Sequence, residues 1–136
     1  MSRGIPRILL VIYAVALLLV AFWPTPVDAA LAPWLHGWIA RINQPWFDYG
    51  LIEAAANVAL FVPLGLLVTL LLPARLWWLV PLACLAVSAL IEGGQGLLLP
   101  DRFPSLQDVV ANTMGGVIGV TLAALGKIAA TDTDDD

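Results

Sequence analysis

Thiol and imidazole chemistry are almost absent from this sequence. Cys84 is the only cysteine and His36 the only histidine. A single cysteine excludes an internal disulfide and a thiolate metal cluster, and a single histidine excludes histidine-based zinc chemistry within one chain. No metal site and no cofactor are therefore expected. Charge is scarce as well: charged residues make up 12% of the chain, and only six of them are basic. That composition lacks the basic footprint of a nucleic-acid binder. Gly93-Gly94-Gln95-Gly96 does not follow the phosphate-cradling loop pattern, and neither Ser88 nor Ser105 has a histidine nearby in sequence to activate it. Repeats and long linkers are missing too. What remains is apolar: 61% of the 136 residues are hydrophobic, with a mean hydropathy of +0.93. This balance points to an integral membrane protein of one compact all-α bundle.

A spanning helix needs about 20 predominantly apolar residues. Four segments meet or approach this: Ile8 to Trp23, Ala54 to Leu72, Leu76 to Gln95, and Val109 to Gly126. The first has two readings, a retained helix or a signal peptide cleaved after the Val27–Ala29 run. The retained helix is the expectation adopted. Arg3, Arg7, Arg75 and Lys127 fall on one side of the implied bundle, and Arg41 and Arg102 on the other. The bias places both termini in the cytoplasm. Between the first two spans, Leu31, Trp34, Leu35, Trp38, Ile39 and Ile42 recur at helical spacing. They form either an interfacial helix on the outer membrane surface or a stripe packed on the bundle. The adopted fold is thus four transmembrane helices with an outer amphipathic helix. It spans residues 1–130 as a single unit, and residues 131–136 read as a disordered acidic tail.

Against this apolar background, the stretch from Ser88 to Asn112 concentrates charge and amide. Carboxylates within or beside apolar spans are costly, so they have a partner or a task. Sixteen uncharged residues separate Arg75 from Glu92. They cover roughly 24–26 Å, which sets Glu92 just inside the outer boundary of a core about 30 Å thick. Asn57 lies roughly 27 Å above Arg75, and Asn112 roughly 22 Å above Lys127, in the same layer. Faces agree with depth. Ser88, Glu92 and Gln95 share one side of the third span, Asp108, Asn112, Gly115 and Gly119 one side of the fourth, and Glu53 and Asn57 one side of the second. Pro63 is expected to kink the second span near Ala59. The Gly93–Gly96 run is expected to loosen the outer end of the third. Gly115 and Gly119 admit a close helix neighbour, in this chain or in a second copy. The three polar faces predict an outward-open polar pocket with Arg102 entering from a loop restricted by Pro100 and Pro104.

Three roles suit this constellation. A Glu92–Arg102–Asp108 network would lock loop and helices. A pocket would bind an amphiphile with a polar head. Two acids could divide into an acid and a base in a membrane enzyme. A single deep carboxylate with no inverted repeat argues against proton-coupled transport.

The run from Glu53 through Asn57, Pro63 and Gly65, then Glu92, Gln95, Pro100 and Arg102, then Asp108, Asn112, Gly115 and Gly116 resembles the VanZ-like family. These are small bacterial membrane proteins named for a teicoplanin-resistance accessory protein. The likeness covers residues 53–119. It implies a bacterial inner-membrane setting and recurring polar positions at Asn57, Glu92, Gln95, Arg102, Asp108 and Asn112. The resulting expectation is a cell-envelope protein that binds membrane lipid, a lipid-linked cell-wall precursor or a glycopeptide, and that is linked to glycopeptide tolerance. The alternatives are an enzyme acting on a lipid-linked envelope precursor and a structural partner of other membrane proteins.

Overall fold

The computed structural model describes residues 4–24, 30–100 and 103–132, with the side chains of the last two left aside. Five α-helices follow one another: α1 (Gly4–Ala21), α2 (Ala32–Ile42), α3 (Tyr49–Leu71), α4 (Leu79–Leu98) and α5 (Leu106–Asp132). A short 3-10 turn, Ala74–Leu76, precedes α4, and no strand occurs among the described residues. Helices α1, α3, α4 and α5 are each long and apolar enough to cross a membrane. The protein is an all-α membrane protein.

Helix ends differ from the sequence expectation where a cap decides them. Helix α3 begins at Tyr49, five residues earlier than the apolar run suggests, because the Asp48 carboxylate accepts a hydrogen bond from the Leu51 N–H at 2.9 Å. Helix α5 begins at Leu106 because the Ser105 hydroxyl accepts from the Asp108 N–H at 3.2 Å. It also runs to Asp132, so the first two residues of the expected tail are helical. Residues 133–136 lie outside the described residues. Helix α4 remains helical through Gly93, Gly94 and Gly96 to Leu98. The expected loosening is not seen, and the reason is packing: Gly94 and Gly96 make room for neighbours. A methyl group on Gly94 would meet the Phe22 ring, and one on Gly96 would come 2.6 Å from the Pro104 ring.

The centre of the bundle is the crossing of α3 and α5. A methyl group on Gly65 would fall 2.5 Å from the Gly116 carbonyl oxygen, and one on Gly115 or Gly119 would strike the Val58 or Val62 carbonyl. The two backbones therefore touch directly, as small residues at a membrane helix crossing allow. Gly115 and Gly119 are buried against α3 of the same chain, which is the first of the two close neighbours open to them in the sequence. Helix α4 also packs on α5, with Cys84 against Gly116. The buried core runs through Leu17, Phe61, Leu64, Val80, Cys84 and Ile91.

Helix α1 leans mainly on α3. The Tyr13 hydroxyl donates to the Leu60 carbonyl at 2.6 Å, one turn before Pro63, whose missing N–H already interrupts the α3 ladder. Leu17 is buried, so α1 packs as a member of the bundle; residues 27–29, where a cleavage site was considered, lie outside the described residues. Helix α2 buries no residue. Its Trp34 and Trp38 rings meet at 5.6 Å, Arg41 lies over Trp38 at 5.9 Å, and both indoles are exposed. The His36 ring stacks on Tyr49 at 5.5 Å and ties α2 to the start of α3. Exposed indoles beside an arginine suit an interfacial helix rather than a stripe sunk into the bundle.

The crossing yields a direct expectation. Gly119→Leu should drive a side chain into the α3 backbone and destabilise the protein by about 1–3 kcal/mol. Gly126→Leu, where nothing lies within 4 Å of the new carbon, should change stability by less than about 0.5 kcal/mol. Thermal unfolding of the purified protein in detergent distinguishes the two.

Candidate functional site

Helices α4 and α5 run antiparallel, and their contacts repeat in steps of four residues on each. Cys84 meets Gly116, Ser88 meets Asn112, and Gly96 meets Pro104 just beyond the start of α5. In this register Glu92 falls at the level of Asp108. The geometry thus builds a polar ladder one helix face wide towards the Leu98 end of α4, with Ser88 and Asn112 on its lowest rung. Glu92 stands six residues before the last residue of α4, so the acid lies roughly 9 Å inside the helix end.

Each rung is held differently. The Asn112 side-chain N–H donates to the Ser88 hydroxyl at 2.8 Å, with Ser88 fully buried and Asn112 5% exposed. The amide oxygen of Asn112, Oδ1, is buried without a partner. Reversing the amide would exchange the problem rather than solve it, because the N–H₂ group would then lack an acceptor. One rung higher, the Glu92 carboxylate accepts from the Ser105 N–H at 2.7 Å. Gln95, on the same face, donates from Nε2 to the Ala21 carbonyl at 2.7 Å. Ala21 ends α1, where helix carbonyls have no intrahelical donor, so Gln95 caps α1 from another helix. Glu92 and Gln95 are both buried.

Of the six sequence candidates, Glu92, Asp108 and Asn112 fall on the facing sides of α4 and α5, while Gln95 reaches from α4 to the end of α1. Asp108 is half-buried in the first turn of α5. Asn57 is half-buried on α3, and none of these hydrogen bonds reaches it; Glu53, on its side of α3, is exposed. Arg102 lies outside the described residues. The expected outward-open pocket is not visible among the described residues, where Ser88, Glu92, Gln95 and Asn112 are packed shut. Two open grooves run along α1 instead. The larger, of about 450 Å³, is lined by Val15, Leu18, Leu19, Phe22 and Trp23. The other, of about 380 Å³, lies between α1 and α3 around Tyr13 and Pro63. None of the six candidates lines either groove.

Sequence reasoning missed two members. Tyr13 clamps α1 to α3, and nothing in the sequence pairs it with Leu60. Ser105 enters through its backbone N–H and as the cap of α5. The Ser105-Leu-Gln-Asp108 run carries the helix-start pattern that signals this second role.

A family model described as VanZ/LLP1 matches residues 10–127, which takes in α1 to α5 and the whole ladder. The chain belongs to the VanZ/LLP1 family. No curated protein and no solved structure matches it. In this VanZ/LLP1 protein the matched region begins within α1, so the helix that receives the Gln95 cap is part of the family unit.

The Ser88–Asn112 rung gives a stability test. Ser88→Ala strips the buried Asn112 N–H of its acceptor and should cost about 1–2 kcal/mol. Thr121→Ala removes an exposed hydroxyl that bonds only the Val117 carbonyl of its own helix, and should cost less than about 0.5 kcal/mol. Unfolding midpoints of the two variants check the difference.

Proposed function

We propose that this VanZ/LLP1 protein binds the polar head of an amphiphile at the Asp108 and Asn112 rungs of the α4–α5 ladder. Its setting in this reading is the bacterial inner membrane, with both termini cytoplasmic. The observation that carries the reading is Asn112 Oδ1, an acceptor buried in the bundle without a donor. An unpaired buried polar atom costs free energy that a bound donor recovers. Lipid head groups, lipid-linked cell-wall precursors and lipoglycopeptides all bring such donors. In this reading Asp108 and Asn112 face the ligand, Arg102 engages an anionic group, and Asn57 borders the layer from α3. The phenotype that belongs to the family resemblance is glycopeptide tolerance, with teicoplanin as the probe.

A second reading is favoured for two residues by specific contacts. Glu92 caps α5 and Gln95 caps α1, so both hold the bundle together rather than the ligand.

Alanine variants separate the roles. Asp108→Ala, Asn112→Ala and Arg102→Ala should keep membrane abundance within about twofold while raising teicoplanin susceptibility, whereas Glu92→Ala should lower abundance itself. Normal abundance with unchanged susceptibility in the first three would contradict the binding reading.

Topology has its own check. Cys84 is buried, so the native chain should resist a membrane-impermeant thiol reagent. Phe103→Cys, at a position 87% exposed in the loop before α5, should react in intact cells. Labelling only after lysis would mean that the bundle is inverted.

A further inference from the structure

Ser105 and Asp108 stand three residues apart at the start of α5, the spacing at which a capping box forms. Half of that box is present: the Ser105 hydroxyl accepts from the Asp108 N–H. In the other half, the acid at the third position reaches back to the N–H of the cap residue. Here Glu92 from α4 has taken that place, since its Oε2 accepts from the Ser105 N–H at 2.7 Å. Asp108 is thereby released from its local task. Among the described residues its carboxylate has no hydrogen-bond or ion-pair partner.

One turn behind Asp108 on the same face of α5 stands Asn112, whose Oδ1 is the buried atom without a donor. Two acceptors in succession, one of them charged, thus share a face. A protonated primary amine fits both facts, because it brings positive charge for the carboxylate and three N–H donors in a compact head.

We propose that Asp108 and Asn112 form the binding site for the ammonium of an amine-bearing lipid head group, with Glu92 acting as the surrogate cap that frees Asp108. This rests on the amphiphile-binding reading and names the class of head group. The ligand is a lipid rather than a free amine because the acceptors lie within a helix pair long and apolar enough to span a membrane.

The test uses the full-length protein purified in detergent and four dioleoyl lipids: phosphatidylethanolamine, its N-methyl and N,N-dimethyl forms, and phosphatidylcholine. Binding is read by native mass spectrometry. Each methylation removes one N–H and keeps the charge. Wild type should bind phosphatidylethanolamine about tenfold more tightly than phosphatidylcholine, with the methylated forms between. Asp108→Asn should flatten the series. Glu92→Gln should lower the unfolding midpoint and leave the series graded, which separates the capping role from the binding role. Gln107→Ala, at an exposed neighbour, should change neither. Equal binding across the series in wild type, as would follow if Arg102 of the same chain held Asp108, overturns this inference and leaves the amphiphile-binding reading standing. A series lost in Glu92→Gln and kept in Asp108→Asn overturns the division of roles. Competition by free ethanolamine as effective as by the lipid overturns the lipid assignment. Failure of every lipid to bind overturns both this inference and the reading beneath it.

Discussion

The direct backbone contact between α3 and α5 is the constraint from which the rest follows. Gly65, Gly115, Gly116 and Gly119 leave no side chain between the two helices, so their rotation about their own axes is fixed. With Gly115 and Gly119 turned to α3, Gly116 is turned to Cys84 of α4. Asn112, one turn before Gly116, then faces Ser88, one turn after Cys84. The polar ladder is thus a consequence of where four glycines fall. A bulkier residue at any of them would rotate or displace α5 and carry Asn112 away from Ser88.

The ladder divides its polar groups between holding and leaving open. Gln95 and Glu92 spend their side chains on backbone groups at the ends of α1 and α5, where helices lack internal partners. In an apolar surrounding such caps matter more than in water, since no solvent replaces them. Because each cap comes from α4, the ends of α1 and α5 are both referred to one helix. Asp108 and Asn112 are left with acceptor capacity that the described residues do not use. A family unit that spans α1 to α5 is consistent with an arrangement in which the capping helix and the capped ones must travel together.

Much of this was legible in the sequence because the physics is local or periodic. Apolar runs of spanning length marked the four long helices, and the i, i+4 spacing of Ser88 with Glu92 and of Asp108 with Asn112 marked the faces. Depth arithmetic put Glu92 near the outer end of α4, and the structure continues that helix six residues past it. Two kinds of feature were not legible. Caps supplied by another helix, such as Gln95 on Ala21, depend on tertiary placement and leave no local pattern. The glycine run in α4 read as a weak helix end because an isolated helix is weakened by glycine. In the bundle Gly94 and Gly96 are where Phe22 and Pro104 lie against α4, and packing outweighs propensity. Asn57 shows the limit of face arguments: it occupies the right layer, yet none of the ladder's hydrogen bonds reaches it.

The central claim is the register of α4 against α5, because it brings Glu92 level with Asp108 and buries Asn112 against Ser88. Cysteine cross-linking measures it directly. In a Cys84→Ala background, the Ser88→Cys, Asn112→Cys pair should close a disulfide on mild oxidation, read by mass spectrometry as the loss of two free thiols. Ser88→Cys combined with Met114→Cys, at an exposed position on another face of α5, should remain reduced. Closure of Ser88→Cys with Asp108→Cys or Gly116→Cys in preference to Asn112→Cys would place the helices one turn out of register and contradict the account.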